Sequence, residues 1–261
     1  MKDISLKRSM EVLAATWPSA GCRRVGPWMI REGRGGGQRV SAATLEEPLK
    51  QAMIAELLPV AEAEMAALEQ APLFMVGPGG DDLDQVLDDA GYAVKDPSHL
   101  YMGSAERLAD PPPLPVSAFA VWPPLAIMNE LWEAGGIGPG RQAVMARVEC
   151  AKTGILARHD NCAAGVAFVA VHNGVAMLHA LEVTPSQRRK GVGSGIMRAA
   201  AQWAVRQGAE ALMLAVTQAN AGAARLYASL GMEIVEQYHY RVHKEAADDA
   251  GNREEQTANG A

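Results

Sequence analysis

The sequence predicts an α/β (α+β) protein of two domains, and three observations carry that expectation. The chain has 261 residues, long for one domain of ordinary size and comfortable for two. Its second half alternates short β runs with apolar runs at helical spacing. A proline-rich seam at 111–115, Pro111-Pro112-Pro113-Leu114-Pro115, splits the chain into comparable halves, and consecutive prolines favour an extended linker. The expected division is 1–110, linker 111–115, 116–244, and an acidic tail at 245–261 that has no apolar period and is expected to be disordered.

In the second half, residues 152–158 and 163–171 read as strands joined by the polar turn His159-Asp160-Asn161. His172-Asn173-Gly174 then turns into a strand ending near Val183. Val192, Ile196, Ala200, Trp203 and Ala204 recur at helical spacing, and Gly208 is a natural stop. The continuous apolar run 211–216 suits a strand buried on both faces. Asn220 can cap a helix that runs through Tyr227 to Leu230, Gly231 ends it, and 233–242 close as a strand.

The first half is plainer. Trp28-Met29-Ile30-Arg31 and Gln38-Arg39-Val40-Ser41 flank a glycine-rich turn and read as a hairpin. Residues 44–69 read as an amphipathic helix, with Thr44 and Glu47 spaced as a capping box and an interruption near Pro59. Residues 83–94 echo the helix, glycine and strand around Gly231, placing Gly91 on Gly231 and Leu87 on Tyr227. Either one copy of a duplication has lost its chemistry, or a common junction recurs.

Composition narrows the classes of function. A net charge of −6 argues against a dedicated nucleic-acid binder, which normally carries a basic footprint. Residues 1–45 do hold eight Lys or Arg against three acids, so an interaction protein using that stretch is one rival reading. No window approaches the ~18 continuous apolar residues of a membrane span. Cys22, Cys150 and Cys162 are scattered and read as buried small residues in a reducing cytoplasm, neither a disulfide framework nor a metal site.

The chemistry concentrates at Arg188-Arg189-Lys190-Gly191-Val192-Gly193-Ser194, between a strand and a helix. Exposed N–H groups of a first helical turn, glycines that let a ligand approach, and three cations together form an anion site. The plain alternative is a tight turn with solvated cations. A dinucleotide fingerprint is excluded, because Ile196 sits where a third glycine belongs, and the P-loop ending is absent.

These residues, with Asn220, Leu226-Tyr227 and Leu230-Gly231-Met232, resemble the GNAT superfamily of acyl-CoA-dependent N-acyltransferases over about 116–244. The first signature, Gln/Arg-x-x-Gly-x-Gly/Ala, is met in full; in the second, Met232 replaces a phenylalanine. The resemblance implies a mixed, mostly antiparallel sheet flanked by helices, in tandem form with a degenerate, supporting first half. It implies acetyl-CoA as co-substrate, no metal, and direct transfer to a small-molecule or peptide amine. Cofactor contacts fall on Leu181, Val183, Arg188, Arg189, Lys190, Gly191, Val192, Gly193, Ser194 and Asn220.

Tyr227 would be the general acid for the departing thiolate, and Glu182 the base, directly or through water. A strand bulge near Glu182 would bring the Val183 N–H to the thioester oxygen. Without the resemblance, Tyr227 is a core tyrosine and Glu182 a half-exposed strand residue. Strict alternation would pair Glu182 with Ala180 on one face. His179 and the cluster Tyr238, His239, Tyr240 and His243 read first as packing residues; by the resemblance Trp132 and the glycine loop 135–140 shape the acceptor site, and by composition the loop is simply a flexible helix connection. A non-catalytic CoA-binding or regulatory module is the alternative function. Partners are otherwise none among nucleic acids or membranes, with a homodimer left open and a cytoplasmic location expected.

Overall fold

A computed structural model describes residues 6–114 and 117–243, so Pro115, at the end of the expected linker, and the tail at 245–261 lie outside the described residues. In chain order the elements begin with helix α1 (Leu6–Thr16), strands β1 (Gly21–Val25) and β2 (Trp28–Glu32), the single turn α2 (Gln38–Ser41) and the short β3 (Thr44–Leu45). Then come α3 (Gln51–Ala66), β4 (Leu73–Val76), α4 (Asp81–Asp89), β5 (Tyr92–Ser104) and α5 (Ala105–Ala109). The chain continues through β6 (Ala118–Val121), α6 (Ala126–Ala134), α7 (Pro139–Arg147), β7 (Ala151–His159) and β8 (Cys162–His172). It closes with β9 (Val175–Val183), α8 (Val192–Arg206), β10 (Ala211–Thr217), α9 (Ala221–Ser229) and β11 (Glu233–His243).

Two compact units result. Among the described residues, one takes in 6–18 together with those of His99–Glu236; the other is Ser19–Ser98 with 237–243. These boundaries differ from 1–110, 111–115 and 116–244, and local contacts explain why. Arg198 of α8 donates to the Pro111 carbonyl at 2.9 Å, which ties the start of the proline segment to the first unit. Helix α1 packs on β8 and β9.

In the first unit the strand order is β5, β10, β9, β8, β7, β6. Strands β6 to β9 pair antiparallel with one another and β10 runs parallel to β9, so the sheet is mixed and mostly antiparallel. Helix α8 covers one face: Val192, Ile196, Met197, Ala200 and Ala204 bury against Ile155, Ala167, Val169, Ala176 and Leu178. Small residues along α8 bring its axis close to the strands. Alternation sends Phe168 and His179 to the other face, where the Trp17 ring stands 6.2 and 4.8 Å from theirs. Among the described residues no helix is long and apolar enough to cross a membrane.

The second unit has the antiparallel set β1, β2, β3 and pairs β4 with β11. Trp28, Ile30, Ile54, Leu58, Phe74, Leu87 and Tyr92 form its core. Arg241, 6% exposed, fixes the last strand to α4. It grips both oxygens of Asp84 at 2.7 and 2.9 Å, and donates to Asp88 at 2.7 Å and to the Tyr92 carbonyl at 2.9 Å. The Arg241 bonds first, and then the His239 Nε2 at 2.6 Å from Oδ1, hold the Asp84 carboxyl below its ordinary value. Its contribution is therefore full above the unfolded value of ~3.9 and is lost as pH falls through the lower folded value. Arg241→Ala is expected to cost about 2–3 kcal/mol, less than for a fully buried pair because Asp84 keeps 31% exposure. A lower urea midpoint and a flatter acid limb are the expected readings; an unchanged midpoint would contradict them.

Several local elements depart from the sequence expectation. Residues 38–41 are not a strand: β2 pairs with β1, and the glycine run leads into α2, whose Ser41 hydroxyl donates back to the Gly37 carbonyl at 3.1 Å. The helix expected from Thr44 starts at Gln51, because Pro48 disfavours helical geometry at Glu47. Thr44 instead pairs as β3, accepts from Arg31 and donates to Glu46, so it caps nothing. Pro59 stays inside α3 without ending it. Cys22, on the edge strand β1, and Cys162, opening β8 after a turn, are exposed instead of buried. Tyr238 and Tyr240 pack edge to face at 5.6 Å within the second unit, as core residues.

Candidate active site

Strand β9 shapes the site through one extra residue. Its register with β8 runs from His172↔Val175 to Phe168↔His179 and resumes at Val166↔Glu182, so Ala180 and Leu181 together oppose Ala167. Ala180 takes φ 51°, and the Trp132 indole donates to its carbonyl at 2.9 Å, pinning the bulge. The inserted residue reverses the alternation. Leu178 packs toward α8 before the bulge, and Leu181 and Val183 do so after it. Glu182 therefore shares a face with His179, not with the residue two positions before it. His179 is buried in a structural role: its Nε2 lies 2.9 Å from the Thr16 hydroxyl, which itself donates to Val12.

Beside the bulge the sheet opens. Parallel pairing of β10 with β9 runs from Ala211↔Val175 only to Leu214↔Leu178, while β10 continues to Thr217 and β9 to Val183. The two strands thus form a fork with its mouth at Glu182. Thr184 N–H donates to the Ala164 carbonyl at 3.0 Å. In an antiparallel ladder the adjacent Gly165/Val183 pair then turns its peptide groups away from the partner strand. The Val183 N–H consequently faces the β10 side, into the fork.

Next comes the turn read as an anion site. After a 3-10 turn at Pro185–Gln187, Arg189 takes φ 64° and Gly191 φ 83° as the N-cap of α8. Gly191 offers no side-chain cap, so the N–H groups of Val192, Gly193 and Ser194 have no intrahelical acceptor. A Cβ built on Gly191 would meet nothing within 4 Å, so the space beside the helix start is open. Around the turn, Lys190 reaches Gln187 at 3.2 Å and Asp160 at 3.5 Å, and His159 donates to the same Gln187 oxygen at 2.9 Å. Arg189 is exposed. Arg188 is engaged elsewhere: Nη2 meets Glu182 Oε1 and Nε meets the Val183 carbonyl, both at 3.1 Å.

Helix α9 supplies the last candidates. The Asn220 side chain accepts from the Ala223 N–H at 3.0 Å, the cap expected of it. Leu226 lies over the first turn of α8, where a Cβ on Gly193 would be 3.0 Å from its Cδ2. Tyr227 is 5% exposed, with the Tyr101 ring 5.4 Å away. Burial first, and then Tyr101, push its phenol up to about 12, so it is a neutral proton donor at physiological pH. Met232 stays in the same core as Tyr227, so its departure from the motif preserves packing.

The structure thus joins Glu182 to Arg188, and gathers Leu181, Val183, Val192, Leu226 and Tyr227 around one core. Glu182 falls on the other face of β9 from Tyr227. Sequence reasoning missed Tyr101, which comes from β5 with no local signal. It also missed the contact of Glu182 with Gly135, where a Cβ would lie 2.3 Å from Glu182 Cγ.

The family model described as acetyltransferase (GNAT) family matches residues 125–232. The uncharacterized N-acetyltransferase YobR of Bacillus subtilis is 24% identical over 94% of this chain and 100% of its own length. A GCN5-related N-acetyltransferase from Kribbella flavida superposes with a TM-score of 0.72 at 21% identity, covering 91% of this chain and 95% of that one. A tandem GNAT protein from the clavulanic acid biosynthesis pathway gives 0.61 at 14% identity, covering 90% and 86%. The bulged strand, the open fork and the glycine turn all lie within residues 125–232, the part of the chain that matches the acetyltransferase (GNAT) family model, and the fold is the one shared by these solved acetyltransferases.

Proposed function

We propose that the protein transfers an acetyl group from acetyl-CoA directly to a primary amine on a small molecule or peptide. One observation carries this reading: the β9/β10 fork opens beside a bulge and leads to an uncapped helix N-terminus. A diphosphate would take the N–H groups of 191–194, with Arg189 and Lys190 adding charge and Asn220 a further polar contact. The pantetheine arm would lie in the fork along Leu181 and Val183. The Val183 N–H would meet the thioester oxygen as negative charge builds there.

Glu182, directly or through water, would take a proton from the incoming ammonium, whose ordinary pKa of ~10.4 leaves little free amine at neutral pH. Tyr227 would face the sulfur. A thiol's ordinary value of ~8.5 lies well below the phenol's, so the main contribution of Tyr227 is a hydrogen bond that strengthens as the thiolate forms. The tandem arrangement belongs to the same proposal. It is supported by the likeness to a tandem GNAT protein and by matching positive φ at Gly91 and Gly231, 86° and 71°.

The test is release of free thiol from acetyl-CoA across a panel of amines, amino acids and peptides. Release that depends on the amine is the expected result. Cofactor binding with no release from any acceptor would overturn amine transfer in favour of a non-catalytic CoA-binding role.

A further inference from the structure

We propose that Arg188 is a positioning residue for Glu182 and Val183, and that the diphosphate is left to the main chain beyond it. The inference rests on the transferase reading above. The guanidinium presents adjacent donors, Nε and Nη2, to acceptors on consecutive residues, the Val183 carbonyl and Glu182 Oε1, both at 3.1 Å. A planar fork suits two acceptors at a fixed spacing, which an ammonium cannot match. Gly135 packs against the Glu182 stem so closely that a Cβ there would be 2.3 Å from Cγ and 2.8 Å from Cδ. The carboxylate is therefore held by the glycine through its stem and by the arginine at its tip.

The Val183 carbonyl is turned away from β8 by the pairing register, so it has no partner in that ladder, and Arg188 supplies one. Recruiting Arg188 to a phosphate would strip both groups of this donor at once. The opening position of the glycine signature thus sets the geometry of the proposed base and of the strand end that carries the oxyanion donor.

The experiment compares wild type, Arg188→Gln and Arg188→Lys in the full chain. It reads acetyl-CoA affinity by calorimetry, kcat and KM with an active amine, and hydrogen exchange at the amides of 182–184 without ligand. For Arg188→Gln the expected result is a Kd within about threefold of wild type and a kcat lower by roughly 10- to 100-fold, the scale of a misplaced catalytic group. Strand-end exchange should be faster, and Arg188→Lys should recover part of kcat by restoring the charge without the fork. A Kd weakened at least tenfold with kcat and exchange unchanged would make Arg188 a phosphate ligand and overturn the proposal. No change in any reading would reduce the pair to an inert surface contact and overturn it equally. If wild type bound no acetyl-CoA, the transferase reading itself would fall, whatever the exchange data showed.

Discussion

Gly191→Val is expected to abolish detectable acetyl-CoA binding, weakening it by at least about 100-fold, while the protein stays folded. The expectation joins two separable effects. Gly191 sits at φ 83°, where a β-branched residue is strained by about 1–2 kcal/mol. For a protein of this size that lowers Tm by only a few degrees. The larger effect is steric. A Cβ at 191 meets no protein atom within 4 Å, so the added valine side chain is expected to compete with the diphosphate for the open space at the helix start. Calorimetry with acetyl-CoA reads the affinity, and a melting curve separates it from unfolding. Unchanged affinity in a folded variant would remove the anion cradle from the account.

Tyr227→Phe should lower kcat by about 100-fold, near the bottom of the range for a general acid, and leave acetyl-CoA affinity within about twofold. The low end follows from the phenol's own environment. Burial and Tyr101 push it to about 12, which keeps the proton in place but makes full transfer to a thiolate unfavourable. The ring is retained in phenylalanine, so the core shared with Tyr101 and Met232 is preserved and the loss is confined to the hydroxyl. Release of free thiol at saturating acetyl-CoA gives kcat. Equal turnover in the two proteins would show that Tyr227 is only a core residue.

Much of the second half is legible in the sequence because its signals are local. The strand runs at 152–158 and 163–171, the apolar spacing from Val192 to Ala204, and Asn220 followed by Gly231 each specify an element within a few residues of where it stands. The glycine turn is legible for the same reason, since helix-start chemistry lies within one heptad. What escapes is non-local. Strict alternation along β9 places Glu182 with Ala180, and the bulge that moves it beside His179 is pinned by Trp132, a residue from another helix. Likewise, nothing near Arg188 indicates that its guanidinium is taken by Glu182 and Val183 instead of standing open.

The first half is less legible for a different reason. Its glycine run after Glu32 has the composition of a hairpin turn, yet the strand that pairs with β2 is β1, which precedes it. Thr44 and Glu47 have capping-box spacing, but Pro48 follows and the helix waits until Gln51. Pattern and spacing there are compatible with two local structures, and long-range pairing chooses between them.

The most direct measurement is a crystal structure with acetyl-CoA bound. Diphosphate oxygens are expected within hydrogen-bond distance of the 191–194 amides, and the thioester carbonyl on the Val183 N–H inside the β9/β10 fork. Cofactor bound away from both, with the fork closed or empty, would contradict it.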